Sequence, residues 1–330
     1  MKALKSLTVL AIFLLAISSG LYSCTKIQKS EKLTWLGEGN CFGVSKQFFD
    51  QQIPLSIEEQ EISEYLRNNF SIRNLTMANL LGLLPFMEVY FKSLENYHAH
   101  PSLENKIEYL ERYQRLSQRF EATKMEVSSV QAALFCEEDR MDQVVRYLRS
   151  KEGTEVKNLT VGYILLGTST AIITVIVLND PDVADYYGLG AGLVGAALGY
   201  RILKVENKIK YNHPQNHLKE IAEGPPNSQL FPSSVWSYLN FVDGDPENPS
   251  SARGEILQKW QTLGLFAEIK PKDIPKQREK FFGEGGIYTS SELDLRASMY
   301  EQISAQINLM MTDINLLIKE FGVAQREFRD

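Results

Sequence analysis

A chain of 330 residues that is 44% hydrophobic and 23% charged has ordinary globular composition and enough length for a substantial core, which excludes a disordered or low-complexity protein. Its formal net charge is −6, and removing residues 1–23, which hold Lys2 and Lys5 and no acid, would deepen it to −8. That balance argues against nucleic acid as a partner.

Residues 1–23 have the grammar of an export signal: basic Lys2 and Lys5, an apolar run from Leu7 to Ile17, then the small residues Ser18, Ser19 and Gly20. The run ends in Leu21-Tyr22-Ser23-Cys24, which resembles the lipobox of bacterial lipoproteins. The resemblance covers the signal alone, and Tyr22 is bulkier than the small residue usual two places before the cysteine. It implies that the Cys24 thiol takes a diacylglyceryl group and becomes the new N-terminus, carrying fatty acyl chains such as palmitate. Several acyl chains anchor durably where one binds reversibly. The expected location is therefore the bacterial cell envelope, on the exported side of a membrane. Two cues to which membrane disagree. Thr25 stands where many lipoproteins retained at the inner membrane have aspartate, whereas an apolar span farther along would favour retention there.

Residues 25–34 are polar and read as a short tether, and 35–53, with Gly37, Gly39 and Gly43, as loop and short elements. Cys41 and Cys136 remain as an even pair in an oxidising compartment and are expected to form a disulfide. Ser56 followed by Glu58 and Glu59 predicts a capped helix over 57–69. Leu75–Leu94 predicts a buried core helix rather than a span, because Pro85 and Glu88 interrupt it.

Ser102 is expected to cap a long amphipathic helix. Its apolar stripe is Leu103, Ile107, Leu110, Tyr113, Leu116, Phe120, Val127, Val130, Leu134, Met141, Val144 and Leu148. Glu137-Glu138 is read as solvated surface on that helix.

Leu159–Leu178 is uncharged, with eleven Leu, Ile or Val residues, and is long enough for a transmembrane helix. A turn with Asn179, Asp180, Pro181, Asp182 and Asp185 follows, then uncharged Tyr186–Tyr200, closed by Arg201 and Lys204. Gly188, Gly192 and Ala196 lie four apart, as do Gly195 and Gly199, a spacing that lets helix backbones approach closely. Gly162, Gly167, Ser169, Thr170 and Thr174 could answer from the first arm. These residues describe an apolar two-helix hairpin over 159–204, either in a bilayer or buried in a soluble bundle. Insertion from the exported side would leave Lys151, Lys157, Arg201 and Lys204 outside, against the usual cytoplasmic bias of basic residues.

Residues 224–288 hold seven prolines and many glycines and predict an irregular insert, with a short helix near 252–264. The last segment repeats Tyr300, Ile303, Ile307, Met310, Ile314, Leu317 and Phe321 in steps of three and four, a coiled-coil-like seam; Met311 and Ile318 widen it towards a bundle.

The expected fold is mainly α: a long-helix bundle with a central apolar hairpin. The expected organisation is a signal peptide (1–23), a lipidated tether (24–34), the first half of a helical domain (35–158), the hairpin (159–204) and the second half (205–330). No catalytic constellation, cofactor motif or metal site emerges. His213 and His217, with Glu220 nearby, have zinc-like spacing, but Pro214-Gln215-Asn216 lacks a general base, and His98 and His100 fall in a turn before Pro101. The glycines of 186–199 are followed by no Lys-Ser or Lys-Thr to meet phosphate. The leading function is a membrane-anchored envelope lipoprotein with a structural or protein-interaction role, its partners being lipid, through Cys24 and residues 159–204, and a protein or a second copy. The alternatives are a membrane-active protein, since long helices bracketing an apolar hairpin look like the plan of helical pore-forming toxins, and an enzyme with an unrecognised site.

Overall fold

The computed structural model describes Cys41 and residues 57–176, 181–242, 250–262 and 271–327, without the side chains of 58, 171–176, 181–187 and 271. The signal, Cys24, the 25–34 tether, the Ser56 cap and residues 177–180 of the acidic turn lie outside the described residues. The protein is mainly helical, with a small two-stranded sheet. In chain order the α-helices are α1 (Glu64–Asn69), α2 (Ile72–Leu80), α3 (Leu84–Ala99), α4 (Leu103–Ile176) and α5 (Pro181–Leu203), followed by strand β1 (Lys208–Asn212). Then come α6 (His217–Glu223), α7 (Ser233–Asn240), α8 (Ala252–Thr262), α9 (Ile274–Phe282), strand β2 (Gly285–Thr289) and α10 (Ser290–Glu327). The described residues fall into two compact units, one formed by Asp142–Tyr211 and Gly286–Asp294, the other by 57–141, Asn212–Gly285 and 295–327.

In the larger unit the two long helices lie together, joined across their outer faces by Gln131 Nε2 donating to Asn308 Oδ1 at 2.6 Å. Leu116, Phe120, Val127, Val130, Leu134 and Met141 of α4 are buried, as are all seven seam residues of α10 from Tyr300 to Phe321. Ser102 caps α4 as expected, its hydroxyl accepting from the Asn105 amide at 3.1 Å. The first turns of the stripe differ: Leu103, Ile107, Leu110 and Tyr113 are exposed.

The expected helix over 57–69 is a 3-10 turn (Ile57–Glu59) and then α1, whose cap is Ser63, accepting from the Leu66 amide. The expected helix over 75–94 is two helices. Gly82 sits at φ 64°, its N–H donating to Asn79 O and that of Leu83 to Ala78 O, a closed C-terminal turn that satisfies the last carbonyls of α2. Pro85 then opens α3, where a missing N–H costs nothing. Tyr65, Phe70, Tyr90 and Phe91 pack with Phe321 into one aromatic cluster, ring centroids 4.8–5.8 Å apart. Glu320 of α10 accepts from the Ser71 amide and hydroxyl and from Asn74 Nδ2, and Arg73 pairs with Asp313 at 2.6 Å.

The described residues of 224–288 hold the short helices α7, α8, which matches the expected short helix, and α9, and most of β2. Pro232 stands at the N-cap of α7 and Pro275 in the first turn of α9, positions where proline starts a helix.

In the smaller unit, Glu152 of α4 accepts from the Asn207 amide just before β1 at 3.0 Å and from the Ser290 hydroxyl just after β2 at 3.1 Å. Tyr211 and Tyr288 meet edge to face across the strands. Arg149 pairs with Asp294 at 2.9 Å.

Because L-residues avoid the conformation of Gly82, Gly82→Ala is expected to cost about 1–2 kcal/mol. A denaturant melt showing no loss would refute that account of the α2–α3 turn.

Candidate functional site

Cys41 and Cys136 are disulfide-bonded, with Cα atoms 5.6 Å apart. Cys136 lies on the outer face of α4 beside exposed Phe135. The bond closes a span of 95 residues.

The apolar arms are α5 and the end of α4, both helical. They meet where the Tyr163 ring lies against Gly195: a Cβ built there would come 3.0 Å from Tyr163 Cε2. From that contact the chain runs 13 residues to Ile176 and 14 back from Pro181 to Gly195, so the arms are antiparallel and level. The small-residue spacing makes no wider interface. A Cβ at Gly162, Gly167, Gly188, Gly192 or Gly199 would touch nothing within 4 Å. Thr168, Ser169 and Thr170 donate to the carbonyls of Ile164, Leu165 and Leu166 in their own helix, which masks hydroxyl polarity within the arm. Thr174 lies among the residues whose side chains are not described.

Nor are the described arms buried as a bundle core. Val161, Tyr163, Ile164, Leu165, Tyr200, and Leu189, Leu193 and Leu203 at 70, 58 and 83%, are all exposed. No helix is long and apolar enough to cross a membrane among the described residues. The transmembrane helix expected at 159–178 is not found among the described residues. Pro181, Asp182 and Asp185, read as part of the turn, stand in α5.

His213 precedes α6 and His217 begins it, so they do not share a helical face. No group of three or more His, Cys, Asp or Glu side chains able to hold a metal occurs among the described residues. Both histidines line a buried polar cluster around Arg296, which is fully buried. Arg296 donates from Nη1 to the Phe281 carbonyl and from Nη2 to Asn216 Oδ1 at 2.9 Å. Asn216 Nδ2 donates to the Phe281 and Gly283 carbonyls at 2.9 and 3.0 Å. The guanidinium thus sits on the carbonyl end of α9, where the helix dipole favours a cation. His213 Nε2 lies 3.2 Å from the Lys280 carbonyl, and the His217 ring packs on Phe231 and Tyr300. Burial, reinforced by the Arg296 charge, lowers the pKa of each histidine to about 3.

Glu137 is also buried, 2.6 Å from Arg140, which corrects the reading of Glu137-Glu138 as solvated. Burial pushes its pKa up while Arg140 and then Arg296 oppose the shift. Sequence reasoning missed this cluster, although Arg296 falls between Leu293 and Tyr300 in the α10 seam and Glu137 between Leu134 and Met141 in the α4 stripe. His98, in the last turn of α3, meets the Tyr97 ring, and the His100 carbonyl accepts from Asn105.

A polar cleft of about 850 Å³ lies beside α6 and α9, lined in part by Lys219, Glu223, Arg278, Glu279 and Glu284. Glu220, also at its wall, accepts from the Ser228 hydroxyl and the Gln229 and Leu230 amides and so fixes the loop before α7.

Comparison with protein-family models, with curated proteins and with solved structures finds no match.

Two outcomes are expected. Cutting the disulfide with Cys136→Ser should cost about 4–5 kcal/mol by freeing a long loop in the unfolded chain, and a reductant should lower the melting temperature of the parent but not of the variant. The histidines are neutral when folded and bind protons when unfolded, so their stabilisation is full above about pH 6.5 and falls as pH drops towards about 3. Each should contribute up to about 1.4 kcal/mol per pH unit. Stability measured between pH 6.5 and 5 should fall less steeply in His217→Phe, and an unchanged slope would refute the assignment.

Proposed function

We propose that this chain is a lipoprotein of the bacterial cell envelope, exported by residues 1–23, acylated at Cys24, and held against a bilayer a second time by the hairpin of 159–204. Its helical body serves a structural or protein-interaction role. The observation that carries the reading is the exposure of Ile164, Leu165, Leu189 and Leu193 on two apolar arms, since contiguous apolar surface of this kind marks a membrane or partner contact. Three further features support it. The Leu21-Tyr22-Ser23-Cys24 signature provides the lipid, the Cys41–Cys136 disulfide suits an oxidising compartment, and hydroxyls turned back onto their own helix suit an apolar medium. The exposed ridge Leu103, Ile107, Leu110 and Tyr113 supports a protein contact on the larger unit. A toxin-like hairpin released from shelter is less well supported, because the described arms are already exposed.

In cells, the processed N-terminal peptide should carry acyl chains on Cys24 by mass spectrometry, and the chain should resist carbonate extraction. Cys24→Ser combined with Leu189→Asp and Leu193→Asp should release it to the soluble fraction, with either change alone releasing only part. An unmodified Cys24 together with a product that washes off in buffer would overturn the proposal.

A further inference from the structure

The contact of Tyr163 with Gly195 sets the register of the arms. Six residues towards the base from that contact come Lys157 on one arm and Arg201 on the other, and Lys204 follows Leu203 at the end of α5. All three are exposed. Above this level the sequence has no charge as far as Leu178 on one arm, or back to Tyr186 on the other. Lys151, one turn and a half below, lies over the Tyr147 ring. Of the acids near this level, Glu152 is engaged with Asn207 and Ser290, Glu206 pairs with Lys208 at 3.2 Å, and Glu155 is exposed. Tyr200, exposed one residue above Arg201, stands as amphipathic rings do at a headgroup boundary, and exposed Tyr163 lies six residues above Lys157.

Resting on the membrane reading of the hairpin, we infer that Lys157, Arg201 and Lys204 form a basic collar that binds the phosphates of anionic phospholipids in the leaflet entered by the arms. This occupant accounts for both halves of the surface: the uncharged sequence stretches 158–178 and 186–200 for hydrocarbon, and cations where phosphodiesters lie. It also gives a use to basic residues on the exported side, where the charge bias of spanning proteins would not place them. A cation held near an anionic surface adds about fivefold to partitioning at low salt, so three together give a large preference.

The test uses the chain from residue 24 onward with Cys24→Ser, so that no acyl group binds for it, floated with vesicles of phosphatidylcholine alone or mixed with phosphatidylglycerol. Binding should be at least about tenfold stronger with phosphatidylglycerol, and roughly 0.5 M salt should remove that preference. Lys157→Gln, Arg201→Gln and Lys204→Gln together should abolish the preference and leave binding to phosphatidylcholine intact. Equal flotation of the parent on both vesicles, or a preference that survives the triple change, overturns the collar while the hairpin reading stands. Failure of the parent to float with either overturns the hairpin reading and the collar with it. Leu189→Asp with Leu193→Asp should weaken binding to both vesicles, and undiminished binding to phosphatidylglycerol would show surface adsorption in place of a collar around inserted arms.

Discussion

The apolar stripe of α4 and the seam of α10 have to find each other, and the larger unit is arranged around that requirement. Neither helix could remain in water with one face lined by leucine, isoleucine, valine and methionine, since a buried residue of that size contributes about 1.5–3 kcal/mol. The short helices add aromatic cover at the far end of α10, where Tyr90 and Phe91 close on Phe321. Polar links follow the same line: Glu320 ties down the start of α2, and Asp313 receives both Arg73 and the Tyr238 hydroxyl.

Charges at Glu137 and Arg296 interrupt this apolar logic and are compensated locally. A buried ion is costly unless partners replace its water. Arg140 supplies that for Glu137, and the carbonyl end of α9 with Asn216 supplies it for Arg296. Asn216 bonds on both sides of its amide, so truncating it would leave several buried groups without partners at once. The neutral histidines follow from the same geometry, because they are buried, and the Arg296 charge beside them further disfavours a cation.

The long helices were legible because their periodicity is strong and their polar faces are dense in charge. The α2–α3 break was legible in principle. Gly82 followed by Pro85 is a stop and a start, but the unbroken run of leucines masked the punctuation. The sheet carried a period-two signal in Lys208-Ile209-Lys210-Tyr211, where Ile209 and Tyr211 are buried, though five residues are easily lost between longer elements. The polar cluster was hidden for a different reason. Its partners are backbone carbonyls of α9, which no sequence pattern announces, so a charged residue in a seam position was the one available sign. In the hairpin, among the glycines at that spacing, Gly195 alone would bring a Cβ within 4 Å of the other arm. A four-residue repeat specifies which side of a helix is bare, and not what faces it.

The disulfide has a mechanical consequence. A pull applied to the chain before Cys41 does not reach α1, α2 and α3 in turn, because the covalent path crosses directly to Cys136 in the middle of α4. Those three helices sit inside a closed loop that carries no tension. Under the proposed lipid attachment at Cys24, that routing sends the load into α4 and spares the short helices from being peeled away.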